Sequence, residues 1–353
     1  MGGSLKGIYN YMLLIFGQRH LLVLNVNGGG KGDMKRIGLV TSGGDAPGMN
    51  AAIRAVTRVA ISHGLEVLGF EKGWDGLLTN TCRQLTRRNV GGILHMGGTV
   101  LRTSRSPEFR KRGGVRKAAE TLALNNVDGL VVVGGDGSMH GAMELSKQTD
   151  ALIVGVPATI DNDVFGTSET IGFDSAVNTA ITEIDKIRDT ASSHDRIFIV
   201  EVMGRMRGFL ALTIGLTVGA EVILVPEVQY TLDQIVETLQ KNASKGKKSG
   251  IIVAAEGIGD THKLMKEIEE KAGIEVRLSV TGYAQRGGNP TARSRLLANL
   301  FGDKAVEMLM NKQGSRMVAL QKGEIASIKL AQVCSNKKPL DLSLMELANT
   351  LAT

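Results

Sequence analysis

The chain has only two cysteines, Cys82 and Cys334, and neither belongs to a CxxC pair. That argues against a disulfide framework or a zinc site and fits a reducing cytosol, so a cytoplasmic location is expected. Aromatic residues are scarce, at 4%. Within the basic clusters only Phe109 is aromatic, so no interleaved stacking platform for bases is present and nucleic acid ranks low as a partner. No uninterrupted apolar run reaches the roughly 20 residues that span a bilayer. Tyr11–Phe16 and Leu21–Leu24 are apolar, but Gly17–His20 separates them. No small-residue cleavage pattern follows them, which argues against a secretory signal. Residues 1–33, ending in the glycine-rich Gly28–Asp33, read as a disordered or dispensable extension, or as the result of an upstream start codon before Met34.

Glycine is abundant, with 45 residues among 353, which fits an α/β protein rich in tight turns. The length suggests about two domains. The net charge of +7 is modest but concentrated: seven basic residues lie between Arg102 and Lys117, opposed only by Glu108, and Lys245–Lys248 forms a second cluster. Such runs are usually solvated faces. Here the first lies between two glycine turns, which favours anionic small-molecule ligands.

From Lys35 onward strands and helices alternate. Val/Ile/Leu-rich strands are expected at Ile37–Thr41, Leu65–Phe70, Gly129–Val133, Ile153–Val156, Ile197–Val202, Glu221–Val225 and Ile251–Ala255. Helices are expected at Met49–His63, Arg116–Asn125, His140–Gln148, Asp174–Ala191, Gly208–Gly215, Thr231–Lys245 and Lys263–Lys271. Alternation of this kind implies doubly wound parallel sheets, with ligands at the carboxyl ends of the strands.

Three turns fall at such ends. Thr41-Ser42-Gly43-Gly44-Asp45 and Val133-Gly134-Gly135-Asp136-Gly137-Ser138 share one design, an apolar run breaking into glycines with one carboxylate. Glycine lets backbone N–H groups approach phosphate, and the following helix N-terminus favours negative charge. Taken alone, either could be an ordinary strand-to-helix turn. Pro157-Ala158-Thr159-Ile160-Asp161-Asn162-Asp163 adds two carboxylates and a hydroxyl. One carboxylate suits a general base and the other a magnesium ligand, although Asp-Asn-Asp alone is also a plain Asx turn. Together the three supply what phosphoryl transfer to a hydroxyl requires.

This combination resembles the ATP-dependent 6-phosphofructokinases of bacterial type. The resemblance runs from Lys35 to about Leu340. It rests on Thr41–Asn50, Gly134–Ser138, Pro157–Asp163, Ser193–Arg196, Val202–Arg205 and Gln285–Gly288. It implies two Rossmann-like lobes with the active site in the cleft between them. The larger, nucleotide-binding lobe would comprise residues 34–172 plus 283–335, and the smaller, sugar-phosphate lobe residues 173–282 plus 336–353. It further implies that Gly43 and Gly135, Asp136, Gly137 and Ser138 cradle the nucleotide phosphates, with Asp136 on Mg²⁺ and Ser106 lining the nucleotide site. Arg105 would reach the transferred phosphate. Asp161 would be the base, with Thr159 and Ile160 beside it, and Arg205 would stabilise the transferring group. Met203, Gly204, Glu256 and Arg286 would bind fructose 6-phosphate. Arg196 and Arg277 resemble arginines donated across a subunit interface, which implies an oligomer, typically a homotetramer.

Two departures stand out. Tyr283 occupies the place of a histidine in the common bacterial pattern, so it can donate a hydrogen bond to phosphate but carries no positive charge. Ser294 replaces a common aspartate, a change of packing. Pyrophosphate-using relatives generally carry Asp in place of Gly137 and Lys in place of Ala158, so the two small residues here favour ATP. A pyrophosphate-dependent or other sugar-phosphate kinase on the same scaffold is the alternative, and a non-catalytic sensor ranks third. Arg54, Arg58, Arg188, Glu221, Lys245 and Lys247 match positions that bind ADP or phosphoenolpyruvate in allosteric members, while Met96 replaces an arginine of that site.

Overall fold

A computed structural model describes residues 34–352; the expectations for residues 1–33 lie outside the described part. The elements follow in chain order. First come β1 (Arg36–Ser42), α1 (Met49–Ser62), β2 (Glu66–Phe70), α2 (Trp74–Leu78), β3 (Cys82–Leu85) and α3 (Arg112–Leu124). Next are β4 (Gly129–Gly134), α4 (Asp136–Ser146), β5 (Leu152–Thr159), β6 (Ile171–Gly172) and α5 (Phe173–Ser193). A second group holds β7 (Ile197–Val202), α6 (Phe209–Val218), β8 (Val222–Leu224), α7 (Leu232–Ser244), β9 (Gly250–Ala255), α8 (Thr261–Ala272) and β10 (Val276–Val280). The chain closes with α9 (Ala292–Met310), β11 (Arg316–Gln321), β12 (Glu324–Lys329), α10 (Leu330–Ser335) and α11 (Ser343–Leu351).

The strands form two sheets. The larger has the order β12-β11-β5-β4-β1-β2-β3, with β6 paired to β5; the smaller has the order β10-β7-β9-β8. The small sheet is wholly parallel. The large sheet is parallel through its centre and antiparallel at both edges, where β3 pairs with β2 and β12 with β11. Those edge strands were not anticipated. Strand β12 follows β11 through a tight turn and β3 follows β2 through α2, and neither has the unbroken apolar run of a doubly covered strand.

The period of two in a strand sends successive residues to opposite faces. Leu39, Val131 and Val133 therefore pack with Met49, Ile53 and Phe301 of α1 and α9, while Val40 and Val132 pack with Leu122, Met139 and Leu145 of α3 and α4. In the small sheet Ile252 and Ala254 face Ile235 and Ile268 of α7 and α8, while Ile251 and Val253 face Leu210 and Ile214 of α6. The central strands of both sheets are thus covered on two sides, the condition that makes a parallel sheet stable. Helix starts follow local chemistry. Thr231 and Gln234 form a reciprocal capping box on α7, Asp260 caps α8, and Thr291 caps α9.

Two boundaries move, with consequences for the site. Helix α4 begins at Asp136, directly after Gly135, so Asp136, Gly137 and Ser138 form its first turn instead of a loop. Strand β5 continues past Val156 to Thr159, because β6 adds a parallel partner at Ala158 and Thr159.

Candidate active site

The order of the large sheet reverses between β1 and β4, which run side by side with Ser42 opposite Gly134; β5 lies next, with Pro157 opposite Gly134. The three motif turns therefore open from adjacent strand ends at a topological switch point, where α/β sheets bind ligands. From the small sheet, β7 and β9 end together, Val202 opposite Ala255. Between the two sets of strand ends lies a cavity of about 670 Å³. Gly43, Gly135–Ser138, Thr159, Asp161 and Asp163 line it from the large sheet, Met203 and Arg205 from the small one, and Arg286 from a short turn.

The glycines are required by close approach. A Cβ on Gly134 would fall 2.4 Å from the Ser138 hydroxyl and 2.5 Å from the Ser42 carbonyl, which are themselves hydrogen-bonded at 3.0 Å. Gly43 has a φ of +90°, open to glycine at little cost. Gly137 differs: a Cβ there meets nothing within 4 Å. No side chain caps α4, so the orphan amides of its first turn suit an anion, as does the positive end of its dipole.

Asp161 is 5% exposed and forms an ion pair with Arg205, Oδ2 to Nε at 3.3 Å. Its amide donates to the Thr159 hydroxyl at 3.3 Å. Burial, followed by the neighbouring Asp163 carboxylate, pushes its pKa up to about 6, against the pull of Arg205. Asp163 is raised as well, by burial and then by Asp136. Arg205 has a φ of +53°, directly after Gly204 at +132°. Glu256 secures that conformation by accepting the Arg205 N–H at 2.6 Å. Such left-handed backbone outside glycine costs about 1–3 kcal/mol and persists where surroundings hold it.

Asp136 lines the cavity and pairs with no lysine or arginine among the described residues; its nearest ionic neighbour is His140 at 3.5 Å. Among those residues no cluster of three metal-ligating side chains occurs. A single available carboxylate beside a phosphate cradle fits Mg²⁺, which usually takes one or two carboxylates plus substrate phosphates.

The remaining expected residues divide. Arg105, Ser106 and Ile160 line the cavity, as does Arg110 of the basic run. Other members of that run are surface pairs, Lys111 with Glu108 at 2.7 Å and Arg116 with Glu120 at 3.5 Å. Arg286 lies against Asp45 in a tight ion pair. Gln285, fully buried, accepts from the Met203 amide at 2.7 Å and from the Thr281 hydroxyl at 2.8 Å, so it ties the Arg286 turn to the end of β7. Arg196 and Arg277 lie outside the cavity lining and share Glu275, Arg196 at 2.8 Å. Tyr283 is 78% exposed, also outside the lining, with its ring 5.6 Å from the Arg286 guanidinium carbon. Ser294 is buried and accepts from the Ser175 hydroxyl at 2.8 Å.

Of the expected effector residues, Arg188 and Lys247 converge on buried Glu221, at 4.0 and 2.6 Å. Glu221 precedes β8 instead of opening it. Sequence reasoning missed Trp74 and Phe109, which stack at 4.2 Å in the cavity wall. No motif marks them; being a rare aromatic is the one signal Trp74 offers.

The chain matches the family model "Phosphofructokinase" over residues 36–309. It is 49% identical over 319 residues to the ATP-dependent 6-phosphofructokinase of Oceanobacillus iheyensis, covering 90% of this chain and all of that one. The corresponding protein of Halalkalibacterium halodurans is 48% identical with the same coverage. Among solved structures it resembles the phosphofructokinase of Saccharomyces cerevisiae at 35% identity and a TM-score of 0.80. That match covers 90% of this chain and 48% of the yeast chain, so this chain spans about half its length. A pyrophosphate-dependent phosphofructokinase from Marinobacter aquaeolei, 22% identical with a TM-score of 0.80 and covering 88% of this chain and 86% of that one, shares the fold.

Proposed function

This chain belongs to the phosphofructokinase family, and on that premise we propose that it transfers the γ-phosphoryl group of ATP to the 1-hydroxyl of fructose 6-phosphate. The products are fructose 1,6-bisphosphate and ADP. The observation that carries this reading is the buried Asp161 carboxyl, held against the Arg205 guanidinium where three glycine or acidic strand ends meet.

Asp161 accepts the proton of the sugar hydroxyl as the new O–P bond forms and the bond to the β-phosphate oxygen breaks. A pKa near 6 leaves it largely ionised at neutral pH, yet basic enough to take a proton. Arg205 and Arg105 stabilise charge on the transferring group, the largest contribution in this kind of chemistry. Gly43 and Gly135–Ser138 hold the phosphates, and Ser106 lines the nucleotide end. Thr159, Ile160, Met203, Gly204, Glu256 and Arg286 orient the sugar phosphate; Arg286 must leave Asp45 to do so. Asp136 would hold Mg²⁺, which, when bound, neutralises phosphate charge.

We assign residues 34–172 plus 283–335 to the nucleotide lobe and 173–282 plus 336–353 to the sugar lobe. Arg196 and Arg277 lie apart from the cavity, which supports their action toward a neighbouring copy in a homotetramer, and Tyr283, beside Arg286, is the proposed hydrogen-bond donor to the sugar phosphate. The Arg188–Glu221–Lys247 cluster, with Arg54, Arg58 and Lys245, is the proposed effector site for ADP or phosphoenolpyruvate. No helix among the described residues is long and apolar enough to cross a membrane, and a cytoplasmic location completes the reading.

A coupled assay for fructose 1,6-bisphosphate with MgATP or Mg-pyrophosphate tests it. Activity with ATP alone is expected. Activity with pyrophosphate instead would shift the donor assignment, and silence with both would sink the reading.

A further inference from the structure

The segment between α10 and α11 returns to the active site. The ammonium of Lys338 donates to the Asn162 side-chain oxygen at 2.9 Å and to the Ser168 carbonyl at 3.0 Å. Asn162 is the residue between Asp161 and Asp163. It is buried, has a φ of +51°, and its amide side chain donates to the same Ser168 carbonyl at 3.2 Å. The turn that presents both carboxylates is thus pinned from below by one cation 176 residues away.

The pinning residue is itself held. Arg207 donates to the Lys338 carbonyl, and both side chains lie over the Phe209 ring, Lys338 Nζ at 5.0 Å and the Arg207 guanidinium carbon at 5.2 Å from its centroid. Two cations on one ring repel each other, and burial pushes the Lys338 pKa down to about 8, opposed by Asp163 and Glu169 and assisted by Arg207. A charge kept at that cost is more than a surface contact.

We propose that Lys338 is a positioning residue that fixes the left-handed Asn162 turn and thereby the aim of the Asp161 carboxylate. This rests on the proposed role of Asp161, and the tail segment becomes part of the catalytic apparatus without touching substrate.

The test compares Lys338→Met, Lys338→Gln and Lys338→Arg with the parent chain. Loss of a charge-assisted contact that acts only on transition-state geometry should lower kcat about tenfold in the Met and Gln variants, with both KM values within about threefold. Lys338→Arg, which keeps the charge and the donors, should restore most of the rate. Amide hydrogen exchange at residues 161–163, measured with no substrate present, should be about tenfold faster in the Met and Gln variants. Unchanged kcat, a defect confined to KM, an Arg variant no better than Met, or unchanged exchange overturns the proposal. An inactive parent chain would instead sink the proposed function, and the exchange measurement would still decide the role of Lys338. If Lys338→Met fails to fold, the smaller change in Lys338→Gln carries the comparison.

Discussion

Arg205 reaches Asp161 across the cleft at 3.3 Å, but the two partners differ in setting: the carboxylate side chain is 6% exposed and the guanidinium 57%. A solvent-exposed cation thus serves a buried anion. Asp161→Asn removes the base with almost no change in volume. Its kcat should fall by about 10²–10⁴, the usual contribution of a positioned base, with KM values little changed. Initial-rate kinetics check this, and near-normal turnover would remove Asp161 from that role.

The same substitution should stabilise the fold. The native pKa of about 6 lies above the ordinary carboxylate value. The native state therefore binds more protons than the unfolded chain between roughly pH 4 and 6, and stability is lost as pH rises through that window. Above it the ionised, buried carboxylate carries the full penalty. Asp161→Asn should be more stable by about 1–3 kcal/mol at pH 7.5, a gain that vanishes near pH 3.5–4. Denaturant titrations at the two pH values would show it.

Activity should follow the ionised form of Asp161. The parent chain should lose kcat/KM as pH falls through about 6. Arg205 holds that pKa down, so Arg205→Gln should move the acid limb to higher pH, besides lowering kcat by about 10²–10³. A pH–rate profile whose acid limb stays in place in Arg205→Gln would contradict the coupling.

Gly137 offers a test of donor choice. A Cβ there meets no atom within 4 Å, so Gly137→Asp should fold with a stability change of about 1 kcal/mol or less. A carboxylate added at the phosphate cradle should still lower kcat/KM for MgATP by about tenfold or more through like-charge repulsion. Retained ATP use would mean that the small residue at 137 does not govern the donor.

Arg196 and Arg277 share Glu275, whose carboxyl they hold below its ordinary range, chiefly through the adjacent Arg196 guanidinium. Arg196→Glu should raise KM for fructose 6-phosphate about tenfold with kcat nearly kept. An unchanged KM would remove Arg196 from sugar-phosphate binding.

Much of the site was legible because its signals are local. A strand followed by Gly-Gly-Asp announces both the strand end and the reason for the glycines, and β1 and β4 end within one residue of where their turns suggest, whereas β5 runs on to Thr159. What escaped depends on distance. The hairpin of β11 and β12 has a half-exposed outer strand with no strong periodicity. Strand β10, with the pattern Val-Arg-Leu-Ser-Val, is largely uncovered on one side. The Asp45–Arg286 pair joins residues 241 apart, and Lys338 reaches Asn162 across 176. No spacing rule connects such residues, since only the folded sheets bring them together.

Trp74, stacked on Phe109 in the cavity wall, is the one tryptophan in the chain. All indole fluorescence therefore originates at a single wall of the cavity. The protein carries its own optical reporter there, able to register arrival of a ligand at that end without a label.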